Sequence, residues 1–419
     1  MGIHSDMDVE NKKLMSHFPN TDYQNQFQLY CRINDIHHEI AEFAEHARQN
    51  HVTSAVSKII AEKYDIGILS ELYQIFGGYA NDTYGIYTNK NGERLTWIFR
   101  IYKSRKSLKE VKFEHNLLCH ARKRGFKWGS VPILSKDGST YQRIELSRNN
   151  EDVGCYCAIY EFIDGDEPYD WIKNWASDIV PERTYTKAAE ILAEFHNSVR
   201  DFDPEGLNRQ EPPINELVQL FPEMLEGYQN ACAEQGRLSI YTDYIDNQFE
   251  YIKDTCKKTV IPACDYEKLI INAIQCDFHP GNLKFDKDGI TCGIYDFDWG
   301  KIDIRLFEIG LGVVYSFVSW VSENDGEINL SNSRKFIDAY NTRLKEMDGL
   351  SPINKYEKKY FFESLQMANI YLFLWCTRLF SVETGYNEYE YLYYLQHQIR
   401  CCKWVETHEK EIRQFSEEL

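Results

Sequence analysis

The apolar pattern changes its period near residue 163, and that change limits the fold more than anything else in the chain. From about residue 67 to 163, aromatic and β-branched runs prevail, as in "LYQIFGGYANDTYGIYTNKNGERLTWIFRIYKS". They are broken by Gly77-Gly78 and by the turn Asn91-Gly92, which predicts antiparallel strands and hairpins. One helical interval interrupts them, with Val111, Leu117, Leu118 and Ala121 around Glu114, before strands near "SVPILS" and "CYCAIYEFI". From Asp164 on, three- and four-residue spacing dominates. "TKAAEILAEFHNSV" puts Ala188, Ile191, Leu192, Phe195 and Val199 on one helical face. The exception is 270–300, a hairpin-like island inside the helical part.

Strands gathered in one part and helices in another predict an α+β chain of two lobes. The expected division is an N-terminal extension over 1–52, polar then helical, a mostly antiparallel lobe over 53–163, and a helical lobe over 164–419. In the extension, Leu29, Ile33, Ile36, Ile40 and Phe43 have amphipathic spacing. A second helix, capped by Thr53, carries Val56, Ile59 and Ile60 on one stripe.

With 419 residues, 43% of them hydrophobic and 14% aromatic, a disordered chain is excluded and a substantial core is expected. No apolar run reaches the length of a membrane span, and the first residues lack a secretory signal, so cytoplasm is the expected compartment. Twelve scattered cysteines show no two pairs at zinc-ligand spacing and read as reduced thiols. A net charge of −18 argues against a nucleic-acid partner. It suits either attraction of a cationic substrate or plain solubility, the commoner cause. Nothing in the sequence sets an oligomeric state.

Phosphoryl transfer from a nucleotide needs a carboxylate at the acceptor hydroxyl, hard oxygen ligands for Mg²⁺, and positive charge on the phosphates. In "CDFHPGNLKFD", Pro280-Gly281 alone would suit any surface turn. Asp277 and Asn282, however, have the D-x-x-x-x-N spacing of a kinase base and metal ligand, and Asp296 in "YDFDWG" comes at the end of the next strand.

"CDFHPGNLKF" and "IYDFDWGKIDIRLFEIG" resemble the catalytic loop and metal-binding strand of the aminoglycoside phosphotransferase and choline kinase-like small-molecule kinases. Upstream, "GGYANDTYGIY" is similar to that family's nucleotide loop and "WIFRIYKS" to its Arg-bearing strand. "VKFEHNLLCHARKRG" resembles the helix whose glutamate pairs with that arginine, and "CAIYEFIDG" the hinge between lobes. The resemblance spans roughly 53–345 and implies a bilobal protein-kinase-like fold. It implies ATP, with GTP left open, Mg²⁺, and a small-molecule acceptor.

Position by position, the resemblance makes Asp277 the catalytic base and Asn282 and Asp296 the metal ligands. Arg100 becomes the phosphate-binding cation oriented by Glu114, with Lys103 the alternative. Gly77, Gly78, Asn81 and Thr83 form the phosphate loop. Glu161, Phe162 and Ile163 meet the adenine through backbone groups. Strand alternation supports Arg100, which shares a face with Ile98 and Tyr102 opposite Phe99, Ile101 and Lys103.

Two positions depart from the pattern. Gln275 stands where the family has His, so either it replaces that residue's hydrogen bonds or the chain is an inactive nucleotide-binding scaffold. Glu308 stands for an Asp, a mild structural change. A protein acceptor is disfavoured because no A-P-E signature comes after Asp296. Asp298, Trp299 and Arg305 are expected where the acceptor enters. His196 is read as satisfied, and Tyr371, Trp375, Phe380 and Tyr386 as core in preference to a cation cage.

Overall fold

The computed structural model describes residues 52–75, 81–103, 106–148, 151–165, 175–176, 180–209, 211–321, 323–382 and 387–419. Helix α1 covers residues 52–63, with Thr53 inside it and not at its cap. The helix expected around Leu29 to Phe43 lies outside the described residues, as does Tyr386.

Strands β1 (Ile68–Ile75), β2 (Asn81–Lys90), β3 (Glu93–Tyr102), β4 (Gln142–Arg148) and β5 (Glu151–Glu161) make one sheet in the order β1-β2-β3-β5-β4. Every neighbouring pair is antiparallel. The predicted alternation in β3 holds. Phe99 and Ile101 face a small core with Val56, Ile60 and Ile159. Tyr102 faces the main core together with Tyr160. Helix α2 (Leu108–Lys123) covers that second face, and its start is fixed by a capping box between Ser107 and Glu110.

The helical lobe opens with α3 (Glu182–Ser198), which buries Ala188, Ile191, Leu192 and Phe195 as their spacing predicted. Next come α4 (Ile214–Glu234), α5 (Ile240–Thr259) and the short α6 (Ala263–Tyr266). Strands β6 (Ile271–Ile274), β7 (Leu283–Phe285), β8 (Thr291–Ile294) and β9 (Lys301–Ile304) then form two nested ribbons, β7 pairing β8 inside the pair β6 and β9. This nesting sets the loops 275–282 and 295–300 beside each other, which a simple hairpin would not do.

The chain ends with α7 (Arg305–Phe317), α8 (Leu330–Lys345), α9 (Lys355–Lys359), α10 (Phe361–Val382), α11 (Glu388–Thr407) and α12 (Glu409–Glu417). Tyr371 and Phe380 are buried in the main core and Trp375 packs against it, as expected. Segment 128–133 joins β5 of the antiparallel lobe to β8 of the helical lobe. Ile294 donates to the Trp128 carbonyl, Glu161 to Val131 and Ile133 to Ile159. Among the described residues no helix is long and apolar enough to cross a membrane.

Arg305, expected at the acceptor entrance, is elsewhere. As the first residue of α7 it is fully buried, with Nε and Nη2 on the Glu357 carboxylate at 2.7 and 2.8 Å and Nη1 on the Ser351 carbonyl. Its fork closes the loop before α9 onto α7. The spacing that suggested a substrate role could not show that the side chain turns inward. Glu357→Leu would strand this guanidinium in the core, which costs about 3–5 kcal/mol. A matching fall in unfolding free energy by denaturant titration is expected, and an unchanged midpoint would refute the role.

Candidate active site

Arg100 projects from β3 into the cleft, its strand neighbours Thr83 and Ala158 on either side. Nη1 lies 3.2 Å from Glu114 Oε1 and Nη2 lies 3.2 Å from Asp296 Oδ1. Glu114 also accepts hydrogen bonds from the Tyr160 and Tyr102 hydroxyls at 2.7 and 3.2 Å. Burial pushes the Glu114 carboxyl up, opposed by Arg100, while Asp296 and Glu114 outweigh burial and hold Arg100 charged. Lys103, the alternative cation, lies just beyond the end of β3.

The loop after β6 carries the remaining chemistry. Asp277 Oδ2 accepts from Asn282 Nδ2 at 2.8 Å, and Oδ1 accepts from the Tyr315 hydroxyl at 3.1 Å. The Pro280–Asn282 turn is capped by His279, whose Nδ1 accepts from the Gly281 N–H, so His279 is a local support. Burial and the Asp277 carboxylate push the Tyr315 hydroxyl up, keeping it a donor. Cys276 and Asp296 both have positive φ, 65° and 60°, a conformation that costs a non-glycine residue of order 1 kcal/mol or more.

Buried partners hold those two strained residues. Gln275 Nε2 donates to the carbonyls of Tyr295 and Asp296 at 2.6 and 3.1 Å. Glu308 Oε1 accepts the Cys276 N–H at 2.7 Å, while its Oε2 meets His196 Nε2 at 2.5 Å. Gln275 therefore supports the backbone of the Asp296 loop through hydrogen bonds, and Glu308 acts structurally.

Asp298 is gripped from the other lobe. Asn81 Nδ2 donates to its Oδ2 at 2.7 Å, and Lys106 Nζ donates to its carbonyl at 2.6 Å and lies 3.2 Å from Oδ2. Burial is outweighed by Lys106, Arg100 and Arg209, which hold the Asp298 carboxyl below the usual range, whereas burial and Asp298 push that of Asp296 up. Asp298 thus ties the lobes together. Asn81 serves it directly, and Thr83 is half-buried beside it on β2. Trp299 carries the Arg209 guanidinium stacked over its ring at 3.7 Å.

At the hinge, Glu161 gives its N–H to Val131 and its carbonyl accepts the Ser130 hydroxyl at 2.5 Å. Its backbone N–H is therefore committed to the fold and cannot meet an adenine. Phe162 is exposed just beyond the strand, and Ile163 lies over Gly293 of β8. Gly77 and Gly78 fall outside the described residues. Tyr315, Lys106 and Arg209 escaped the sequence reading, because no spacing relates them to the loops they serve.

Asp298 Oδ1 is buried without a hydrogen-bond partner, and Asp296 Oδ1 has none beyond its ion pair with Arg100. With the Asn282 amide nearby, this is a hard-oxygen set that fits Mg²⁺. Among the described residues no three His, Cys, Asp or Glu side chains are grouped as a metal cage.

The profile of the phosphotransferase enzyme family matches residues 71–343. A spectinomycin phosphotransferase, solved in complex with ADP and spectinomycin, superposes with a TM-score of 0.54 at 13% identity, covering 87% of this chain and 98% of that one. A choline kinase from Cryptosporidium parvum Iowa II gives 0.54 at 15%, covering 86% and 97%. An amicoumacin kinase in complex with AMP-PNP and Ca²⁺ gives 0.51 at 13%, covering 88% and 95%. These likenesses show a bilobal kinase-like fold. Comparison with curated proteins gives no match.

Gln275→Leu would leave two buried carbonyls without their donor, at a cost of about 1–3 kcal/mol. Thermal and denaturant unfolding should register that loss. Unfolding identical to the parent's would show that Gln275 does not hold the Asp296 loop.

Proposed function

Because the chain belongs to the phosphotransferase enzyme family, we propose that it transfers the γ-phosphate of ATP to a hydroxyl of a small molecule, with Mg²⁺. The observation that carries this reading is the Asp277 carboxylate. It is fixed on one oxygen by Asn282 and on the other by Tyr315, in a cleft where Arg100 meets Asp296. Asn282, Asp296 and Asp298 offer the metal its oxygen ligands, and the metal, when bound, neutralises phosphate charge.

Asp277 holds the acceptor hydroxyl in line and takes its proton. The acceptor oxygen bonds to the γ-phosphorus as the bond to the bridging oxygen breaks, and ADP leaves with that oxygen. Arg100, kept in place by Glu114, offsets charge on the phosphates, and most of the rate comes from such positioning and charge neutralisation. The contact through Asn81, Lys106 and Asp298 holds the two lobes against each other beside the cleft.

The test is Mg²⁺-dependent phosphate transfer into pooled alcohols, sugars and hydroxy acids, read by product mass, with ATP and GTP in separate arms. Asp277→Asn should lower transfer by about 10²–10⁴ while MgATP binding persists, the usual range for a lost general base. Parent-rate transfer by that variant would refute the base assignment. Asp296→Ala should abolish the Mg²⁺ dependence of nucleotide binding seen by calorimetry, and retained dependence would refute the metal assignment.

A further inference from the structure

The groups around the Asp298-Trp299 turn have an unusual charge balance. Arg209 precedes α4 in a side chain 9% exposed, packed flat on Trp299. Among the described residues, its guanidinium gives one hydrogen bond, from Nη2 to Glu211 Oε1 at 3.1 Å. A guanidinium carries five donors in a rigid fork, so most of its capacity remains unused. Arg209 lies within electrostatic reach of Asp298 and of Cys276, the residue preceding Asp277.

The carboxylates Glu211 and Asp303 are already engaged, and the one unpartnered oxygen, Asp298 Oδ1, is the one assigned to the metal. Glu211 takes Arg209, Arg378 Nη1 at 3.2 Å and the Tyr371 hydroxyl at 3.2 Å, with Lys301 Nζ at 3.9 Å. Asp303 takes Lys301 at 2.9 Å, the Ile214 N–H and the Tyr266 hydroxyl. An ammonium group arriving here would have to displace cations already bound. An anion would meet an arginine whose fork is mostly unfilled.

We propose that Arg209, braced by Trp299 and Glu211, binds a carboxylate of the phosphate acceptor. The acceptor is therefore a hydroxy acid or hydroxy amino acid, and not a cationic alcohol. This rests on the phosphotransfer reading of the cleft. Planar bidentate recognition is what a stacked guanidinium provides and what a lysine would not. The chain's overall negative charge does not decide the matter, because these local groups lie far closer to the acceptor than the surface does.

The experiment uses the full chain with Mg²⁺ and three probe sets: glycerate, gluconate and homoserine; glucose and glycerol; choline, ethanolamine and glucosamine. Transfer is read by product mass, and binding by calorimetry with AMP-PNP present. The expected result is the highest kcat/KM in the first set. Arg209→Met should raise the KM of that acceptor roughly tenfold or more, the usual loss for a charged hydrogen-bond partner, with MgATP affinity unchanged. Arg209→Lys, which keeps the charge beside Glu211, should fall between and guards against a folding failure.

Preferred transfer to choline, ethanolamine or glucosamine, or an unchanged KM in Arg209→Met, would overturn this inference and leave the phosphotransfer reading standing. Arg209-dependent binding of a hydroxy acid without any transfer would uphold the carboxylate site and count against phosphotransfer. Neither transfer nor Arg209-dependent binding of the first set would overturn the inference.

Discussion

A guanidinium buried in a cleft must be paired from every side, and the pairing of Arg100 organises this molecule. Its fork reaches Glu114 on α2 and Asp296 after β8, so one charge joins the sheet, the covering helix and the helical lobe. Removing Arg100 would leave two carboxylates uncompensated in a low-dielectric space, a cost of several kcal/mol. The hydroxyls of Tyr102 and Tyr160 fill the acceptor capacity of Glu114 that Arg100 leaves. A buried polar network of this kind, which leaves only Arg100 Nε and Asp296 Oδ1 without a hydrogen bond, fixes one arrangement of the two lobes more sharply than apolar contact would.

The same logic holds on the other side of the cleft. Cys276 and Asp296 sit in a backbone region that L residues avoid, Cys276 directly before Asp277 and Asp296 facing Arg100. Their strain is offset by buried donors and acceptors: the Gln275 amide on two carbonyls, and Glu308 on the Cys276 N–H with His196 behind it. Strain held by over-determined surroundings is a common mark of pre-organised sites. Here it turns the carboxylates of Asp277 and Asp296 toward one space while the surrounding apolar core stays regular.

Much of this was legible in the sequence, for physical reasons that can be named. Period-two alternation placed Arg100 and Tyr102 on one face of β3, because pleated strands leave no other choice. The spacing of Asp277 and Asn282 is a local turn property, so it survived translation into structure. What was not legible depends on tertiary direction. Arg305 begins a helix beside the site yet points into the core toward Glu357. The Glu161 N–H is consumed by a neighbouring segment, Val131, that no spacing connects to it. Lys106 and Arg209 come from separate loops and converge on Asp298 and Trp299 only after both lobes have packed.

The central claim is that the cation of one lobe and the carboxylate of the other act on the same bound phosphate. A double-mutant cycle on MgATP affinity, with Arg100→Met, Asp296→Asn and both together, tests it most directly. Groups that share one network couple by about 0.5–3 kcal/mol, so the combined loss should depart from the sum of the single losses by that much. Losses that simply add would mean that Arg100 and Asp296 serve separate ends and that the cleft is not one site.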